Sequence, residues 1–155
     1  MKDMGLSLDS LHSRLKVLGP SALELYPITL DKGSQDLTVS RDFMATKYGG
    51  SMQSTCPSIG KQHLEDHGMN DFMYLHPNYQ PHAPQVPGAC GLFMGLSGLG
   101  RTWPILQRVF TRIESNVWQY MGTYHLTPSP SLTPSEWADQ KQKVMKPNSL
   151  HFEYI

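Results

Sequence analysis

Two cysteines, Cys56 and Cys90, are all that this chain of 155 residues carries. That is too few for a disulfide framework, and with no secretory segment in view both read as free thiols. Long apolar runs are also missing. None approaches the roughly 20 residues that a membrane-spanning helix needs, and Asp3 and Asp9 interrupt the leucines where a signal peptide would have its apolar core. The expectation is a soluble intracellular protein, nuclear if it meets nucleic acid, with no membrane partner. Charge is scarce, at 17% of residues, and balanced, with 13 basic against 13 acidic side chains. Such a composition excludes a wholly disordered chain and a coiled coil. No GxSxG elbow, no P-loop and no strand-linked GxGxxG occurs, so no enzyme class is indicated. What is present is a 39% hydrophobic composition, enough to bury the core of one domain spanning 1–155.

The balanced total hides an uneven distribution. Residues 1–71 hold seven basic and nine acidic side chains, residues 72–113 hold three arginines and no acid, and residues 114–155 hold three basic and four acidic. The acid-free middle carries Arg101, Arg108 and Arg112 with His76 and His82, a local positive surface of the kind that meets phosphates.

Hydrophobic spacing predicts several short elements. Leu8, Leu11, Leu15 and Leu18 with Ser7 as N-cap and Gly19-Pro20 as stop predict a covering helix over 8–18. The LELYPITL stretch at 23–30 is apolar, but Pro27 confines it to an edge or an irregular strand. Ser40 caps a helix over 41–48 ended by Gly49-Gly50, and a second short helix near 61–67 closes at Gly68. Strands are expected at 71–76, 91–96, 106–113 and 117–126, the last two joined by a tight turn. Pro77, Pro81, Pro84 and Pro87 forbid a regular helix between the first two strands. Gly122, inside the last strand, predicts a bulge or a close approach to its backbone. Thr133-Pro134-Ser135-Glu136 is a capping box, predicting a helix over 134–145. A C-terminal tail, 146–155, follows the core at 23–145 and ends on a strand-like alternation that stops as if truncated. The class expected is α+β, a strongly bent, mostly antiparallel sheet or small PUA-like barrel flanked by short helices.

His63 and His67 stand four apart on one helix face, a spacing that can hold zinc, yet no CxxC or second histidine pair completes a site. Cys90 lies where a histidine such as His82 would have to activate it, with no third group to orient the pair. No metal or cofactor is assigned. Trp103, Trp118, Tyr120 and Tyr124 fall within 22 residues of one another, interleaved with Arg101, Arg108 and Arg112. Flat rings beside guanidinium groups can stack on bases while the arginines hold phosphates, although strands normally bury such aromatics and several should be core.

The runs VSRDFMATKYGG at 39–50, DFMY at 71–74, PHAPQVPG at 81–88, WQYMGTY at 118–124 and LTPSEW at 132–137 together resemble an uncharacterised domain of mushroom-forming fungi. A second resemblance is to SRA domains, the PUA-like modules that flip and hold methylated cytosine. It rests on HAPQVPGACG at 82–91 before a short apolar strand, and on WQYMG at 118–122. The resemblance implies that the loop approaches a base through its backbone, with His82 and Gln85 beside it, while the aromatic-x-Tyr-x-Gly element forms the pocket. The acidic run preceding that element in SRA domains is replaced here by IESNV at 113–117, so the base implied is not restricted to cytosine.

The leading expectation is therefore a non-enzymatic module binding DNA or RNA, a reader of a modified or flipped base. Arg101, Arg108 and Arg112 would contact phosphates, and Trp103, Trp118, Tyr120 and Tyr124 would stack. A protein-interaction or scaffold domain using the Pro/Gly loop is the second reading, and a metal-dependent enzyme using the histidines the third.

Overall fold

The computed structural model describes residues 5–19, 24–96, 105–138 and 150–154. Chain order is α1 (Leu8–Leu15) with a 3-10 turn over Lys16–Leu18, α2 (Lys32–Gln35), β1 (Thr38–Val39), α3 (Arg41–Tyr48) and α4 (Lys61–His67). Then come β2 (Phe72–Leu75), β3 (Leu92–Leu96), β4 (Ile105–Glu114), β5 (Val117–Pro128), α5 (Pro134–Ala138) and β6 (Leu150–Tyr154). The strands form one strongly curled sheet in the order β2-β4-β5-β6-β3, with β1 paired to β5. Among the described residues only β2 and β4 run parallel; the other pairs are antiparallel. The α+β class follows.

Each strand's alternation sends its side chains to two faces. On one face of β2, β4 and β5, Phe72, Tyr74, Phe110 and Trp118 pack against Met44 of α3 and Ile59. On the other, Met73, Leu75, Val109, Met121 and Leu126 meet Phe93 of β3 and Ala83. The residues of β3 between and beside Phe93 point the opposite way, so Leu92 and Met94 join Leu6 and Leu15 beneath α1. Both faces of β2 are covered, which is why all four of its residues are buried.

The local signals act where they stand. Ser7, Ser40 and Thr133 each accept a backbone N–H of the first turn, and the Glu136 carboxylate reaches back to the Thr133 N–H at 2.8 Å. The tight turn after β4 places Asn116 at φ 57°. Residues 24–30 form no strand, and α2 and β1 were not expected. The capping-box helix is described to Ala138; its expected continuation to 145 lies outside the described residues. No helix among the described residues is long and apolar enough to cross a membrane.

Candidate functional site

One edge of β5 is paired with β4 along its length. The other meets β1 at Trp118 and Gln119, and β6 at Thr127 and Pro128. Between those contacts the register slips. Val109 faces Gly122 and Phe110 faces Tyr120, leaving Met121 as the extra residue. Such a bulge bends its strand and re-aims the neighbouring side chains. Gly122 sits in it at φ 135°, left-handed backbone that disfavours any side chain.

Beside this bulge lies a cavity of about 640 Å³, the size of a small-molecule site. Residues 120–125 and Thr127 of β5 form one wall, Gly88 and Cys90 of the loop before β3 a second, and Leu18 with residues 26–30 a third. None of these lining residues is Lys, Arg, Asp or Glu. Gly88 joins the walls: its N–H donates to the Met121 carbonyl and its own carbonyl accepts from the Tyr26 N–H, both at 3.0 Å. At φ 83°, a Cβ on this residue would stand 2.6 Å from the Tyr26 carbonyl oxygen, so only glycine permits the approach.

The two β5 tyrosines of the cavity are held from behind. The Tyr120 ring packs 5.1 Å from that of Phe110, and its hydroxyl shares a 2.7 Å hydrogen bond with Thr123 Oγ1. The Tyr124 hydroxyl donates to the Ala89 carbonyl at 2.9 Å and lies 3.2 Å from that of Met121. Burial pushes the Tyr124 phenol well above its ordinary pKa, so it stays a neutral donor tying β5 to the loop. Burial likewise raises the Cys90 thiol, which keeps it protonated, an apolar wall instead of an activated nucleophile.

The other expected site residues are placed differently. Trp118 is buried in the core, edge-on to Tyr74 at 5.7 Å. Arg108 is ion-paired with Asp71, and Arg112 donates to the Glu114 carbonyl at 3.0 Å with Nη1 2.7 Å from His76 Nε2. His82 Nε2 accepts the Leu6 N–H at 2.7 Å, and Gln85 is exposed and folds back on the Ala83 carbonyl. Neither lines the cavity. Arg101 and Trp103 lie outside the described residues. In the histidine pair, His67 Nε2 must donate to the Tyr48 carbonyl, because a carbonyl only accepts, and Nδ1 accepts the Met69 N–H. Both ring nitrogens are thereby engaged. No cluster of three or more metal-ligating side chains occurs among the described residues.

Sequence reasoning missed the wall formed by residues 26–30, whose apolar composition around Pro27 signalled only an edge or irregular strand. It also missed the role of Arg41. This buried guanidinium lies 3.6 Å over the Tyr74 ring and 5.5 Å from Trp118, and donates to the Ser51 and Ser54 carbonyls. Burial lowers its pKa and lifts that of Tyr74 to about 12. It is a structural cation on the face away from Met121 and the inner core.

A family model described as a domain of unknown function matches residues 38–149. No curated protein and no solved structure gives a significant match.

Proposed function

The chain belongs to the DUF6697 family of domains of unknown function, and we propose that it is a non-enzymatic binding module whose cavity takes an uncharged planar group, a base displaced from DNA or RNA. One observation carries this reading: Tyr120 and Tyr124 share a cavity of about 640 Å³ with Gly88 and Cys90 of the Pro/Gly loop. These are the two segments whose order resembles SRA domains, and they meet at one place. An aromatic platform is worth about 1–3 kcal/mol per stacked base, and hydrogen bonds to the base edge would make up what remains of a flipping cost of a few kcal/mol. Thr123, Thr127 and His125 line the same space with polar groups suited to those bonds.

The uncharged lining makes contact with the base the main term. Arg108 and Arg112 already hold partners within the fold, so phosphate contacts through them are secondary. Fluorescence anisotropy with labelled duplex and single-stranded DNA and RNA, bearing modified or unmodified bases, tests the reading. The expected result is binding to one of these classes that Tyr120→Ala weakens about tenfold, the loss of one stacking platform. Absence of binding to every oligonucleotide, or binding indifferent to Tyr120→Ala, overturns it.

A protein-interaction domain remains the second reading, because Val17, Leu25 and Leu37 are 71%, 64% and 65% exposed. Capture of a protein partner that survives nuclease and high salt, with no oligonucleotide bound, favours it.

A further inference from the structure

The walls of the cavity differ in origin and in how firmly they are held. Gly88, Cys90 and the β5 residues lie within 38–149, the span the family model matches, whereas Leu18 and residues 26–30 precede it. The β5 wall belongs to a strand paired with β4 from Val117 to Leu126 on both sides of its bulge. Residues 24–30 belong to no helix or strand; the Tyr26 N–H donates to the Gly88 carbonyl, and the Leu30 carbonyl accepts from Gln35 Nε2 at 2.6 Å. Anchors flank this stretch. Before it, the Arg14 guanidinium grips Glu136, Ser129 and the carbonyls of Pro130 and Ser131; after it, Gln119 Nε2 donates to the Gln35 carbonyl at 2.9 Å.

The side chains of the stretch are apolar yet left open. Tyr26 is 49% exposed and Leu30 41%, while Ile28 is half-buried over Gly88. A segment anchored at both ends, with few internal bonds and unburied apolar surface, sits at the low end of local stability. It gains most when a ligand supplies the missing contacts.

We propose that residues 24–30 are the selective wall of this cavity: Tyr26, Ile28 and Leu30 close on an uncharged planar ligand and set which one fits. The proposal rests on the cavity being a binding site. The β5 wall, inside the span the family model matches, then supplies the platform, and the stretch outside that span supplies discrimination. One Pro27 ring and three apolar side chains read the shape of the ligand, while Gly88 sets how near they come.

The test uses the full chain and free nucleosides: 2′-deoxycytidine, 5-methyl-2′-deoxycytidine, 2′-deoxyadenosine and 2′-deoxyguanosine. Affinities are measured by ligand-observed NMR for the unaltered protein, Tyr120→Ala, Tyr26→Ala and Leu30→Ala, and amide hydrogen exchange is followed with and without each nucleoside. Both stretch positions are exposed, so the variants keep the core, and the exchange measurement on the unaltered protein needs no variant. Tyr120→Ala is expected to weaken every nucleoside that binds. Tyr26→Ala and Leu30→Ala are expected to change the ranking among nucleosides by about tenfold, the effect of one side chain's apolar burial. Bound nucleoside should slow exchange at the amides of 24–30 severalfold. Binding that depends on Tyr120, with the ranking and the exchange of 24–30 unchanged, overturns the selective wall and leaves the site standing. No binding that depends on Tyr120 overturns the site, and the wall with it.

Discussion

Arg14 shows how much one side chain can hold together. Its Nε and Nη2 pair with the two oxygens of Glu136 at 2.9 and 2.6 Å, and its other N–H groups reach Ser129, Pro130 and Ser131. Both side chains are about nine-tenths buried, so removing one leaves the other charge without its partner. Arg14→Ala is expected to cost about 3 kcal/mol in urea unfolding. The hydrogen bonds from Arg14 hold the Glu136 carboxyl down from 4.5 to about 2. A carboxyl with a depressed folded-state pKa stabilises the fold above its ordinary value and loses that contribution as the pH falls. The stability gap between the unaltered protein and Glu136→Gln should therefore be full above about pH 4.5 and close as the pH falls towards about 2. Gln107 presents the opposite case. Its buried Oε1 has no hydrogen-bond partner, so Gln107→Leu should be neutral or raise stability by up to about 1 kcal/mol in the same unfolding assay.

At the scale of the element, β5 is where the fold makes its cavity. A regular strand would keep its side chains in strict alternation, but the extra residue at Met121 breaks the sequence of faces. Met121 is directed to the inner core and Tyr124 follows it, while Tyr120 stays against Phe110. Gly122 is what lets this happen. A Cβ there would meet only the Tyr124 ring at an ordinary 3.4 Å, so the obstacle is φ 135° and not space. Gly122→Ala should cost about 1–2 kcal/mol, read as a lower melting temperature, and should weaken any ligand of the cavity because the strand straightens. Gly88→Ala is harsher, since its Cβ would collide with the Tyr26 carbonyl and push residues 26–30 outward.

For the whole molecule, electrostatics separates base contact from phosphate contact. Each phosphate neutralised adds about −0.9 to the slope of log K against log salt. With an uncharged lining and Arg108 already paired, oligonucleotide binding should show a slope of about −2 or shallower. A slope several times steeper, measured between low and physiological salt, would shift the weight from the cavity to a charged surface. A ligand that binds the folded state alone also raises the melting temperature in proportion to the logarithm of its concentration, which gives an independent check that its site exists only in the folded chain.

Short-range chemistry was legible in the sequence. Ser7, Ser40 and the Thr133-to-Glu136 box marked helix starts because capping is decided within four residues, and Gly122 marked the bulge because its backbone demand is local. The alternation of β4 and β5 made a bent α+β sheet the expected class for the same reason. Pairings between distant residues were not legible. Nothing local says that the acid-free stretch around Arg108 meets Asp71, that Arg14 finds Glu136 across 122 positions, or that Trp118 turns inward while Tyr120 and Tyr124 border a cavity. A side chain's charge and shape are properties of the residue. Whether that charge is free or paired, and whether a ring is platform or core, depends on which segments the tertiary fold brings within a few ångströms.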